Sequence, residues 1–181
     1  MADLDGRFGG ARSYSAPPRN SAKPSSPSKS IFFSKLKSGL PSEPIVFQAW
    51  TRPELIQRWW TPKSFGMSFV SCELDARTGG TYRFVFSHPA FEQPMAFFGR
   101  YVEVTPPSRI VWTNEESPDG ALSTLTFEEN GGKTLLVLHE LYPSKQALDD
   151  AIASGAPGGA PEQFESLDEL LATLVGPDAT E

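Results

Sequence analysis

Cysteine is almost missing. Cys72 is the one thiol in 181 residues, so no disulfide can close within the chain, a composition suited to a reducing compartment such as the cytoplasm. Histidine is nearly as scarce: His88 and His139 stand alone, and with a single cysteine they give no spacing for a bound metal. No stretch approaches the roughly 18 consecutive apolar residues that a membrane span needs. The N-terminus lacks the apolar core of a secretory signal. No Gly-x-Ser-x-Gly elbow, Gly-x-Gly-x-x-Gly fingerprint or phosphate loop occurs; Gly79-Gly80 and Gly131-Gly132 read as hairpin turns. No cofactor, metal or membrane partner is expected. Basic residues are also few beyond the first quarter of the chain. Residues 1–42 carry seven Lys and Arg against Asp3 and Asp5, a net of +5, so the rest carries −11 of the overall −6. An acidic body repels phosphates, which argues against a nucleic-acid partner.

Proline (17) and glycine (15) are plentiful, and their placement divides the chain. Residues 1–29 are dominated by Ser, Pro, Gly and basic side chains and read as a disordered tail, too polar to offset the entropy of ordering. A domain over 30–176 follows, with 177–181 as a second tail. Ser30–Leu36 reads as a strand and Ile45–Trp50 as a short helix. Thr51-Arg52-Pro53-Glu54 has the pattern of a capping box with proline in the first turn, starting a helix through Trp60 that Thr61-Pro62 stops.

From Met67 the apolar period changes from 3.6 to 2. Strands are predicted at Met67–Leu74, Thr81–Ser87, Met95–Val104, Ile110–Asn114, Ala121–Glu128 and Lys133–Leu141, joined by Gly-, Pro- and Asn-rich turns. Ser144 caps a helix to about Ala153. Gly155–Pro161 reads as a flexible hinge, and Glu162–Val175 as a last helix. Its apolar stripe is Phe164, Leu167, Leu170, Leu171 and Leu174, and Gly176-Pro177 ends it. A one-sided sheet and an amphipathic helix each need a partner, and the natural partner is the other. The fold class is therefore α+β: a curved antiparallel sheet of about six strands wrapped around a long C-terminal helix, with two short helices after the first strand.

Several segments, taken in order, carry a family likeness. They are Ala49-Trp50-Thr51, Pro53-Glu54 and Trp59-Trp60; Asp75-x-Arg77-x-Gly79-Gly80-x-Tyr82; and Gly99-x-Tyr101-x-Glu103-Val104-x-Pro106-Pro107-x-Arg109-Ile110-Val111-Trp112-Thr113. The strand at Ser123–Glu128 and the Leu-rich last helix continue it. Over about Ser30 to Val175 the chain resembles the START/polyketide-cyclase (SRPBCC) superfamily, in particular its bacterial branch similar to the C-terminal domain of the activator of the heat-shock-protein ATPase (AHSA-type). The resemblance implies a helix-grip fold and a cavity for a hydrophobic or amphipathic small molecule, but no single chemistry, because the superfamily includes carriers, cyclases and co-chaperone domains. Residues 1–29 are too short and polar to stand for the activator's separate chaperone-binding domain.

Strand parity places Phe84, Phe97, Tyr101, Trp112, Phe127 and Leu138 on the concave face, with Phe164 opposite them on the last helix. Trp59 and Trp60 lie about 100° apart on a helix, so one is expected to staple the core and the other to line the cavity. The same residue types build cores and cavity walls, so plain packing is the alternative role for each. Glu103 and His139 are the polar candidates; no residue is assigned as catalytic. Asp75, Arg77 and Glu103 are expected to pair at a sheet edge. The leading functional reading is a cytoplasmic module that binds a hydrophobic small molecule, gated by the Gly155–Pro161 hinge. The alternatives are a cyclase- or hydrolase-type enzyme in the same cavity, and a co-chaperone-like interaction domain with weak chaperone or homodimer contacts.

Overall fold

The computed structural model describes residues 29–37, 43–129 and 134–175. The readings made for most of the N-terminal tail, for the Asn130-Gly131-Gly132 turn and for the Gly176-Pro177 stop lie outside them. The elements run β1 (Lys29–Lys37), α1 (Glu43–Thr51), α2 (Pro53–Ile56), β2 (Ser68–Leu74), β3 (Thr81–Ser87), β4 (Met95–Thr105), β5 (Arg109–Thr113), β6 (Leu122–Glu129), β7 (Thr134–Tyr142), α3 (Lys145–Ala153) and α4 (Ala160–Val175). Short 3₁₀ turns cover Lys63–Phe65 and Ala156–Gly159.

All strand pairs are antiparallel and the order is β1-β7-β6-β5-β4-β3-β2. The chain meanders from β2 to β7, and β1 closes the far edge beside β7. The sheet has seven strands, six from the meander and one from β1, against the about six expected. Alternation drives it: Tyr82, Phe84 and Phe86 in β3 are buried while Thr81, Arg83 and Ser87 face solvent, the signature of a sheet with one packed face.

That face curves over α4. Phe164, Leu167, Leu170 and Leu171 of α4 join one core with Val46, Phe47, Ala49 and Trp50 of α1 and with the inward residues of β3 to β7. Fully burying side chains of this size stabilises by about 1.5–3 kcal/mol each. Leu174, the fifth residue of the predicted stripe, is exposed instead, at the end of the helix where the core stops.

Two local expectations are corrected. Thr51 does not cap a helix: it is the last residue of α1, and its hydroxyl donates back to the Phe47 carbonyl at 2.9 Å, a bond typical of Ser and Thr within helices. Arg52, with extended backbone and no side-chain cap bond, precedes Pro53 instead. The Gly155–Pro161 hinge is also structured. Gly155 turns the chain with φ +76°, the 3₁₀ turn follows, and α4 begins at Ala160 with no slack between them. Gly159 lies so close to Pro62 and Phe65 that a Cβ would come within 3.0 and 3.2 Å of them.

Candidate functional site

The helical turn after α2 and the inner faces of β3, β4 and β5 meet at a pocket. Its lining is Trp50, Ile56, Trp60, Tyr82, Phe84, Tyr101, Ile110 and Trp112. The pocket is narrow: the space open to the centre of a water molecule is ≈ 20 Å³, enough for about one water. A second, smaller gap lies between α1, β7 and α4, against Val46, Leu136, Phe164, Leu167 and Leu171.

Proline chemistry shapes the helical wall. Pro53 has no N–H, so the Ala49 carbonyl four residues earlier cannot take its helical bond. Trp59 supplies the missing donor, its Nε1–H reaching the Ala49 carbonyl at 3.0 Å. This fixes Trp59 in the core, 1% exposed, with its ring 4.6 Å from that of Trp50 and 5.4 Å from that of Trp60. Trp60 turns the other way, its ring edge-on to Phe84 at 5.6 Å and to Trp50 at 5.7 Å. The two adjacent tryptophans therefore divide into a core staple and a pocket wall.

On the sheet side, Gly99 lies opposite Tyr82 in the β3–β4 register. A Cβ at Gly99 would sit 1.9 Å from the Thr113 carbonyl oxygen and 2.9 Å from the Tyr82 ring. Its absence lets Tyr82 lie flat and donate its hydroxyl to the Thr113 carbonyl (3.0 Å) or to Asn114 Oδ1 (3.2 Å). From Asn114 the bonding continues: Nδ2 donates to Ser123 Oγ, Ser123 to Glu140 Oε1, and Tyr142 to Glu140 Oε2. Burial holds the Glu140 carboxyl above the usual carboxylate range, partly offset by those two hydroxyls. Burial also pushes the Tyr142 phenol up to about 12, with the neighbouring Glu140 charge adding to it.

Two polar groups of the lining contrast with Trp59 and Tyr82. Trp50 is 5% exposed, and its Nε1–H finds no acceptor among the described residues. The Tyr101 hydroxyl makes no hydrogen bond among the described residues, although its phenol is buried and its pKa raised by that burial. Among the described residues, no carboxylate, imidazole or ammonium lines the pocket.

The segment 57–66, which brings Trp60 to the pocket, is tied to α4 by polar contacts. The Ser64 backbone N–H donates to Glu162 Oε1 at 3.0 Å, and its hydroxyl donates to Glu162 Oε2. Lys63 pairs with Glu169 at 3.1 Å, and Gln163 donates to the Trp60 carbonyl. The Ser64 bonds hold the Glu162 carboxyl below its ordinary pKa.

With this geometry in hand, comparison with known proteins is decisive at the family level. The family model described as "Activator of Hsp90 ATPase homolog 1-like protein" matches residues 43–172. The chain belongs to this activator-like family. The matched span contains every pocket-lining residue. Among solved structures, a protein from Staphylococcus epidermidis is 24% identical with a TM-score of 0.67, covering 84% of this chain and 94% of that one. A protein from Rhodobacter sphaeroides is 24% identical with a TM-score of 0.69, covering 79% and 93%. The AHSA1-like protein from Aeromonas hydrophila is 18% identical with a TM-score of 0.62, covering 83% and 99%. At these identities the likeness establishes the activator-like fold. Comparison with curated proteins gives no match. No helix among the described residues is long and apolar enough to cross a membrane.

Of the residues singled out from the sequence, Trp60, Phe84, Tyr101 and Trp112 line the pocket together. The others do not. Trp59 is core. Phe127 is core too, edge-on to Phe47 at 5.5 Å. Leu138 packs on the main core, and Phe164 borders the second gap. Phe97 has the parity of Tyr101 but is 40% exposed, touching only the edge of the packed face through Phe86. A β-bulge between Tyr101 and Glu103 takes Glu103 out of the inward register. Glu103 pairs with Arg109 at 3.1 Å, while Asp75 and Arg77 pair with each other. His139 follows the inward Leu138 and so has the opposite parity; Glu140, with the parity of Leu138, is the polar residue of this strand that Ser123 and Tyr142 bond. Sequence reasoning missed Trp50, Ile56, Tyr82 and Ile110 as lining. Tyr82 and Ile110 share strand parity with Phe84 and Trp112, so parity alone could have found them.

Proposed function

We propose that this chain binds a hydrophobic or amphipathic small molecule between the α1–α2 tryptophans and the inner face of β3–β5. The observation that carries the reading is Trp50: a deeply buried side chain in a wall of aromatic rings with an unsatisfied N–H. Buried polar groups in native proteins nearly always have partners, and an exception calls for a missing one. The lining offers rings and hydroxyls but no ionised side chain, which favours binding over acid–base or nucleophilic catalysis.

The pocket as it stands is too small for a ring compound, so binding requires opening. The movable wall is Trp60 with the segment 61–66 that follows it, beyond the fixed Trp59. Its ties to α4 through Lys63 and Ser64 are solvent-exposed polar ones, each costing little to break. This replaces the Gly155–Pro161 gate, where a 3₁₀ turn over Ala156–Gly159 runs directly into α4 at Ala160.

Native mass spectrometry of gently purified protein, compared with the same sample denatured and with Trp112→Ala, tests the reading. Wild-type protein incubated with a panel of uncharged ring compounds should show a mass excess that disappears on denaturation and is reduced in Trp112→Ala. No adduct with any compound, or equal adducts in both proteins, would contradict it.

A further inference from the structure

We infer that the ligand of this pocket is an uncharged ring compound carrying a hydrogen-bond acceptor, such as a carbonyl or ether oxygen, that Trp50 and Tyr101 engage. The inference rests on the binding reading above and specifies its chemistry.

Four polar side chains at and behind the pocket wall contrast in pairs. Trp59 and Tyr82 have their donors committed to protein acceptors, the Ala49 and Thr113 carbonyls. Trp50 and Tyr101 do not: the first has a buried N–H with no acceptor among the described residues, and the second is a lining residue whose hydroxyl bonds no described residue. Indole N–H can only donate, and a phenol both donates and accepts. What satisfies both is an oxygen or nitrogen with free lone pairs. The absence of any ionised lining group selects against charge, because an ion would leave water with nothing to replace its hydration. Trp60, Phe84 and Trp112 supply flat faces and edges suited to a ring.

The test uses acetophenone and α-methylstyrene, which share a shape and differ in C=O against C=CH₂. In a pocket with no available donor, the hydrocarbon would bind at least about tenfold more tightly, because the ketone must give up its hydrogen bonds to water. The structure predicts that the ketone binds at least as tightly as the hydrocarbon by calorimetry. Tyr101→Phe, which removes no protein–protein hydrogen bond, should weaken the ketone about fivefold and leave the hydrocarbon within about twofold. The carbonyl stretch of bound ¹³C=O-labelled acetophenone should lie near its value in alcohol. A tenfold preference for the hydrocarbon, or a hydrocarbon-like stretch, would overturn the acceptor inference while leaving the pocket as a binding site. Failure of both probes to bind would overturn the binding reading and this inference with it.

Discussion

Replacing Trp59 and Trp60 one at a time by phenylalanine separates the core from the pocket. Trp59→Phe removes part of a ring that is 1% exposed and the only donor reaching the Ala49 carbonyl, which Pro53 cannot serve. The partial cavity costs about 1–3 kcal/mol, and the stranded buried carbonyl about 1–3 kcal/mol more. The expected loss is about 2–5 kcal/mol, a large part of a typical domain's stability. Trp60→Phe removes a half-exposed wall with no hydrogen bond from its indole nitrogen, so it should cost less than about 1.5 kcal/mol. Its effect should fall on ligand affinity, by about two- to tenfold. Urea unfolding followed by far-UV circular dichroism gives the first quantity, and calorimetry with a bound ring compound the second. The two rings touch at 5.4 Å, so the double variant is not expected to be additive. Equal stability losses in the two single variants would refute the division of roles.

Other outcomes follow from the same packing. Gly99→Ala should abolish or severely lower stability, because its Cβ would meet the Thr113 carbonyl at 1.9 Å, backbone that cannot swing aside; thermal melting checks this, and a Tm within a few degrees of wild type would contradict it. The Glu162 carboxyl, its pKa lowered by Ser64, stabilises the 57–66 contact above its ordinary value near 4.5, and this is lost as pH falls through the lowered folded value. Protection of the Ser64 amide against hydrogen exchange should therefore fall on acidification, and Glu162→Gln should flatten that response. Glu140 has the opposite sign. Its pKa is raised by burial, so the stability held by its protonated form is full below about 4.5 and lost as pH rises through the raised value. Wild type should melt higher at pH 5 than at pH 7 by a margin that Glu140→Gln reduces; an unchanged margin would assign the effect elsewhere.

Periodicity made most of the fold legible. The shift from a 3.6 to a 2 period at Met67 located β2 to β7 within a residue or two, and the Phe164–Leu171 stripe located α4. Local patterns that depend on one side-chain bond were less secure. Thr51 has the composition of a cap, yet its hydroxyl bonds back into α1. The site was legible in kind and only partly in detail. Parity identified Phe84, Tyr101 and Trp112, but it is blind to bulges, and the one after Tyr101 removed Glu103. Parity also ignores where coverage ends, which left Phe97 on the right face but in solvent. Trp50 was not singled out as lining, because nothing in a sequence distinguishes a satisfied indole from an unsatisfied one. The Glu140–Ser123–Asn114–Tyr82 chain joins three strands and a connecting residue, an arrangement visible only once the register is fixed.

The central claim, that a small molecule enters the aromatic pocket, is tested most directly through the four tryptophan indole N–H resonances in a ¹H–¹⁵N spectrum titrated with acetophenone. Saturable shifts at Trp50, Trp60 and Trp112, with Trp59 moving least because its N–H stays on the Ala49 carbonyl, are the predicted result. No saturable shift at Trp50, or shifts confined to residues outside the pocket, would contradict the account.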